Sequence, residues 1–201
     1  MYSKIKAYIE GLDLSSISPE RKKTLQPLID FIKNKRSQDT IPAVNFICTH
    51  NSRRSQLAQV WAQTIADFFG IEIKTYSGGV EVTAFHPNGI NTLEKTGFLI
   101  EKSGENNPKV AVYFADDKPA VITFSKKYDD AVNPESGFAA VMTCSHADET
   151  CPFIAGAEKR IPIMYEDPKE FDGTSQETDK YEERSRQIAT EMKYIFSAIK
   201  K

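Results

Sequence analysis

Residues 43–70 constrain the fold more than any other stretch of the chain. A six-residue apolar run, AVNFIC (43–48), stops abruptly in the polar loop THNSRRS (49–55). Leu57, Val60, Trp61, Ile65 and Phe68 then mark an amphipathic helix that Gly70 closes. Further strand-type runs follow. IEIKTYSGG (71–79) leads into a turn and FAAVMTC (138–144) reads as a core strand, with a helix expected over Asn88 to Gly97 behind His86-Pro87. Strands alternating with helices predict an α/β fold around a parallel sheet. KVAVYF and AVITF, separated by ADDKP, predict an antiparallel hairpin of about five residues per arm, inserted at about residues 108–124. The Gly-, Asn- and Pro-rich stretch 103–108 reads as a loop.

Residues 1–40 read as a helical extension, set apart from an α/β domain over 41–201 by the linker SQDTIP (37–42). Ser18-Pro19-Glu20 has the pattern of an N-cap with proline in the first turn. Leu25, Leu28, Ile29 and Ile32 continue at helical spacing, and Pro27 is expected to kink or restart that helix. At the other end, Thr174-x-x-Glu177 has capping-box spacing. Tyr181, Ser185, Ile188, Met192, Ile195 and Ile199 form one long helical face.

Composition removes several classes of function. The 201 residues carry 26 basic and 28 acidic side chains, a balance that gives no reason to expect nucleic-acid binding. The longest apolar run is far too short for a membrane span. Lys4, Lys6 and Glu10 stand where a signal peptide needs apolar residues, so the expected location is cytoplasmic, away from the membrane. Three cysteines, Cys48, Cys144 and Cys151, are too few for a disulfide scaffold. No CxxC is present, and His50, His86 and His146 lack metal-site spacing, so no metal or organic cofactor is expected.

Cys48-Thr49-His50-Asn51-Ser52-Arg53-Arg54-Ser55 contains Cys-x5-Arg followed by serine. The pattern is weak alone, but here it lies between a strand and the start of a helix. Backbone N–H groups and the helix dipole can surround a tetrahedral oxyanion at such a place. Cys48 would be favoured there as the nucleophilic thiolate. Arg54 offers planar, permanently charged donors for two oxygens. Ser55 can donate to the sulfur, and Asn51 tolerates a left-handed backbone and can brace the loop. Asp167-Pro168, behind IPIMY, supplies a candidate proton donor for a leaving oxygen. The plainer alternative is a buried cysteine at a strand end with two solvated arginines.

Cys144 and Cys151 next to a nucleophilic cysteine suggest relayed thiol–disulfide exchange. If residues 145–151 are helical, their Cα atoms stand about 10 Å apart along the axis. A disulfide needs less than about 7 Å, so closing that pair would require the segment to unwind. One buried strand-end cysteine and one incidental surface cysteine is the competing reading.

Taken together, Cys48-Thr49-x-Asn51-Ser52-x-Arg54-Ser55-Gln56, Ser77-Gly78-Gly79, Cys144 and Cys151 around Ala147-Asp148-Glu149, and Asp167-Pro168 resemble the low-molecular-weight protein tyrosine phosphatase superfamily. Within it they look most like the thioredoxin-coupled arsenate reductases. The resemblance covers about residues 41–201 with an interruption around 103–136, and it implies a four-stranded parallel sheet flanked by helices. It also implies an oxyanion-binding loop of Thr49, His50, Asn51, Ser52, Arg53, Arg54 and Ser55, supported by Ser77. Cys48 would attack arsenate and Asp167 would protonate the departing oxygen. Cys144 would then attack Cys48, releasing arsenite, and Cys151 would take over Cys144. A thioredoxin-like reductant would reduce the Cys144–Cys151 bond. A phosphatase acting through a cysteinyl phosphate is the first alternative, kept open by Tyr165 and Phe171. A non-catalytic oxyanion-binding or redox-sensing module is the second. His50 stands where relatives usually have Gly, so its Cβ is expected either to strain a turn needing positive φ or to bring an imidazole donor to the anion. Arg53 is expected to add positive charge.

Overall fold

The computed structural model describes residues 1–150 and 153–200; Cys151 and Pro152 fall outside them. The chain opens with α1 (Ser3–Glu10), a 3-10 turn (Leu14–Ser16) and α2 (Pro19–Ser37). It continues through β1 (Ala43–Cys48), α3 (Arg54–Phe68), β2 (Lys74–Gly79) and α4 (Pro87–Thr96). Three further strands follow: β3 (Leu99–Ser103), β4 (Lys109–Tyr113) and β5 (Val121–Thr123). The chain ends with β6 (Phe138–Met142), α5 (Ser145–Thr150), β7 (Ala157–Pro162), a 3-10 turn (Pro168–Phe171) and α6 (Glu177–Lys200).

Four parallel strands form the main sheet in the order β2-β1-β6-β7. Phe46 lies opposite Ser77 and Val141, and Ile47 opposite Gly78 and Met142. Such a register alternates the side chains between two cores. Val44, Phe46, Ala139 and Val141 face α3 and α6, while Ile47, Phe138, Ala140 and Met142 form a smaller cluster with Cys48, Cys144, Ala147 and Ile154. The strand order turns back at β1, with β2 on one side and β6 on the other. A crevice is therefore expected beyond the carboxyl ends of β1 and β6. Cys48 and Cys144 stand at its two lips.

The inserted element is larger than the expected hairpin. β3, β4 and β5 form a three-stranded antiparallel sheet, with only three residues in β5. LIEKS (99–103) gives little apolar signal because none of its residues is buried and Leu99 is 57% exposed. Its turn into β4 uses left-handed backbone at Gly104 and Asn106.

The first helices share the main core. Ile5, Ile9, Leu25, Leu28, Ile29 and Ile32 are all buried in the cluster that holds Trp61, Ile188, Met192 and Phe196. Trp61 fixes this junction, stacked on Tyr8 at 5.4 Å and donating Nε1–H to Ser185 Oγ at 2.9 Å. Ser18 caps α2 by accepting from the Arg21 amide. The helix continues through Pro27, so it does not restart there. Arg21 reaches α6 with a two-point ion pair, Nε and Nη2 each 2.8 Å from a carboxylate oxygen of Glu191. Its guanidinium also covers the Tyr165 ring. At the start of α6, Glu177 accepts from the Gly173 amide, and Thr174 Oγ1 accepts from Gln176 rather than from Glu177. Among the described residues no helix is long and apolar enough to cross a membrane.

Candidate active site

The loop between β1 and α3 sorts its backbone groups by direction. Every carbonyl from Cys48 to Arg53 is held from outside. Cys48 O accepts from Val80 N, Thr49 O from Glu81 N, and Ser52 O from His86 N. His50 O accepts from the Ser125 and Thr83 hydroxyls, Asn51 O from Gln56 Nε2, and Arg53 O from Leu57 N. The amides of residues 49–55, by contrast, donate to no acceptor among the described residues. Tied-back carbonyls and unpaired N–H groups at a helix start make a cradle for an anion.

Asn51 makes that shape possible. It is the left-handed residue of the loop, at φ 44°, and it is fully buried. Its Oδ1 accepts from the Lys126 amide at 3.0 Å, which fixes the orientation of the side chain and turns Nδ2 toward Ser55 Oγ at 2.8 Å. Because Ser55 Oγ accepts there, its own proton is free to point at Cys48 Sγ, 3.0 Å away. The Cys48 sulfur is thus met by a hydroxyl donor, a contact that would favour charge on it.

Gly79 is the floor of the loop. It lies opposite Cys48 across the β1–β2 ladder, and a Cβ on it would come within 2.7 Å of Asn51 N and Thr49 O. Ser77, the expected loop support, sits two residues lower in that register. Its hydroxyl donates to Gln59 on α3 at 2.7 Å, so it braces the helix and not the loop. Direct support comes from Gln56, Thr83, Ser125 and Lys126.

The two arginines diverge, as successive residues at a helix start must. Arg54 turns toward the acid segment. Its Nη2 donates to Asp167 Oδ2 at 2.6 Å and its Nη1 to Tyr165 O at 2.9 Å, while its buried Nε has no partner among the described residues. Asp167 Oδ1 accepts from Lys169 N, fixing the carboxyl group over Pro168. Arg53 points elsewhere, which corrects the expectation that its charge faces the anion. Its Nε donates to Tyr181 OH at 2.7 Å and its Nη2 to Asp172 Oδ2 at 3.1 Å. Tyr181 also donates to Asp172 Oδ1 at 2.8 Å and lies 3.1 Å from His86 Nδ1. Burial, then the Arg53 charge, lowers the His86 pKa, with Asp172 opposing. Burial raises that of Tyr181.

His50 brings neither of its expected effects. Left-handed backbone falls on Asn51, one residue later, so no strain is stored at His50. Its imidazole Nε2 is 3.2 Å from Glu81 Oε2, engaged on the β2 side.

Cys144 comes to the same place. Its sulfur is 3.4 Å from Thr49 Oγ1, beside Cys48, and accepts from Ala147 N at 3.4 Å. Thr143 N still donates to Ile47 O at 2.7 Å, so the β1–β6 ladder continues to this point. Cys48 therefore lies opposite Thr143, one step before Cys144. Cys144 itself lies past the strand, in the bend that leads into α5. The Arg160–Asp148 ion pair at 2.6 Å ties α5 to β7. Cys151, expected to take over Cys144, lies outside the described residues.

Sequence reasoning missed Thr83, Ser125, Lys126, Asp172 and Tyr181 as site residues, weighed His86 only as a metal ligand, and gave Gln56 no role. Gln56 alone left a trace, as the polar residue directly after Ser55.

A parallel sheet flanked by helices, with an anion cradle joining a strand's carboxyl end to a helix, defines the cysteine-dependent oxyanion-handling class of α/β proteins. Within that class, the chain belongs to the low molecular weight phosphotyrosine protein phosphatase family, whose profile matches residues 43–201. It is 26% identical over 137 residues to an arsenate reductase of Halalkalibacterium halodurans, covering 67% of this chain and 79% of that one. To an arsenate reductase of Bacillus subtilis it is 27% identical over 143 residues, covering 71% and 86%. The crystal structure of an arsenate reductase from Archaeoglobus fulgidus shares the fold at a TM-score of 0.52 and 18% identity, covering 77% of this chain and 98% of that one.

Proposed function

We propose that the protein reduces arsenate at Cys48 and passes the oxidation along its cysteines. The Cys48 thiolate attacks arsenic in the cradle, and a sulfur–arsenic bond forms as one oxygen leaves. Asp167 protonates that oxygen, so water departs. In the geometry above Asp167 is held by Arg54. An oxyanion that draws the guanidinium to itself would release the carboxyl group to carry the proton. Cys144, as thiolate, then attacks Cys48 sulfur. The sulfur–arsenic electron pair stays with arsenic, which leaves as arsenite, and a Cys48–Cys144 disulfide remains. Cys151 attacks Cys144 and frees Cys48, and a thioredoxin-like dithiol reduces the last disulfide. The six-residue α5 begins directly after Cys144 and spans about 9 Å, so the Cys144–Cys151 step requires it to unwind.

One observation carries the reductase reading over phosphate-ester hydrolysis: the Cys144 sulfur lies against Thr49, in the same buried cluster as Cys48. Of the two aromatics that kept a phosphotyrosine substrate open, Tyr165 is buried beneath Arg21, while Phe171 is half-buried with Lys180 over its ring. The test is an arsenate assay coupled to thioredoxin and its reductase, beside hydrolysis of an aryl phosphate. Cys48→Ser should abolish both reactions. Cys144→Ser should stop arsenate reduction and spare hydrolysis; arsenate turnover that survives it would end the relay.

A further inference from the structure

A second cavity, of about 880 Å³, opens between the edge strand β2 and the inserted sheet. Its volume is in the range that holds a small organic ligand. Ile71, Ile73, Phe114, Val121 and Phe124 line its apolar side. Lys74, Lys109, Lys118 and Lys126 face it against only Asp67 and Glu72, and Asp67 is already bonded to Lys118 at 2.9 Å.

Lys126 is the telling residue. It is 4% exposed, yet no acceptor or acidic partner bonds its ammonium group among the described residues. Its Nζ sits 4.7 Å from the centre of the Phe124 ring, and Lys109 Nζ lies 5.7 Å from the same ring. Both charges lie beside that one ring, no farther apart than the sum of those distances. Burial pulls the Lys126 pKa down to about 8, with only Asp130 opposing. Burying an ammonium without an anion is costly, and an acid in the cavity would offset that cost.

We propose that this cavity binds a small organic anion, its acidic head between Lys109 and Lys126 and its apolar body against Phe114, Val121 and Phe124. The cavity lies outside the cradle and does not depend on the reaction at Cys48, but Lys126 belongs to both: its backbone amide holds Asn51 while its side chain lines the cavity.

The probe is 8-anilino-1-naphthalenesulfonate, titrated by fluorescence and calorimetry into the full-length protein. One molecule per chain should bind. Lys126→Met and Lys109→Met should each weaken it at least tenfold, and Ala120→Trp, which fills the cavity, should abolish binding. Near-ultraviolet circular dichroism checks the folding of each variant. Lys109 is exposed on β4, so its variant keeps the test decisive should Lys126→Met misfold. N-phenyl-1-naphthylamine, which lacks the sulfonate, should bind more weakly and be indifferent to either lysine change. Displacement of the probe by decanoate or by 2-naphthoate would support the site and tell a chain-like body from a ring. Lysine variants that bind the sulfonate within twofold of the unmodified protein, or an unaffected Ala120→Trp, would overturn the proposal.

Discussion

Replacing Asn51 separates the two contributions that hold the loop in shape. Its backbone sits at φ 44°, and its side chain satisfies the Lys126 amide and positions Ser55. Asn51→Ala loses both. An alanine in left-handed backbone costs about 1 kcal/mol. The orphaned Lys126 N–H, in a buried setting, adds about 1–3 kcal/mol. The expected loss is therefore about 3 kcal/mol, or a fall in Tm of about 6–12 °C for a domain of this size. Glycine accepts the backbone but not the hydrogen bonds, so Asn51→Gly should recover about 1 kcal/mol of that loss. Asn51→Asp keeps the acceptor for Lys126 while setting a negative charge beside Ser55 and the Cys48 sulfur. It should be more stable than the alanine variant yet react more slowly with iodoacetamide at neutral pH, because a neighbouring anion disfavours the thiolate. Urea unfolding gives the stabilities, and mass spectrometry of alkylated peptides gives the Cys48 rate. Equal instability of the alanine and glycine variants would refute the backbone part of this reasoning. An aspartate variant that alkylates as fast as the unmodified protein would refute the electrostatic part.

Arg53→Met should cost about 2–4 kcal/mol by stranding Asp172 and Tyr181, while leaving phosphate affinity within about threefold, because its guanidinium faces away from the cradle. Isothermal titration with phosphate, beside urea unfolding, checks both halves. Lys126→Met should stabilise the protein at pH 7 by up to about 3 kcal/mol, from a pKa drawn down from 10.5 to about 8. The unfolded chain binds more protons than the native one between those values, so native lysine gains stability as pH rises from 8 to 10.5. The advantage of methionine should fade over that window in paired unfolding curves. His86 follows the same sign at lower pH. Its native pKa is depressed, so its contribution is present above about 6.5 and is lost as the pH falls through the native value. His86→Gln should flatten that acid limb of the stability curve, measured by urea unfolding between pH 7.5 and 5.

What the sequence made legible follows a physical divide. The strand, loop and helix around Cys48 were readable because apolar periodicity, Cys-x5-Arg and an asparagine suited to left-handed backbone all lie within about thirty contiguous residues. Asp167 was readable because proline marks the conformation of its neighbour. The role of Arg53 was not. Side chains of adjacent residues at a helix start diverge by about 100°, and composition does not say which of two arginines meets the ligand. β3 was not readable either, because only Ile100 of its five side chains packs against the core, too little for an apolar alternation. Ser77 was misassigned to the loop because its distance from Cys48 depends on register, and pairing Phe46 with Ser77 sets it two residues too low.

The same divide explains why the cradle depends on the insertion. A loop of six residues cannot orient its own carbonyls outward, since nothing within it can accept the cost of leaving them unpaired. Five elements supply the donors: the end of β2, the segment before α4, α4's capping residue, α3 itself, and the stretch after β5. Ser125 holds the His50 carbonyl and Lys126 holds the Asn51 side chain, so the chain leaving the three-stranded sheet is part of the anion site. Lys126 O also accepts from Gly79 N at 2.8 Å, locking that chain to the glycine on which the loop rests. Affinity for an oxyanion is in this way a property of the scaffold behind the loop. The residues touching substrate could be conserved in every position and still bind nothing if those outer donors were lost.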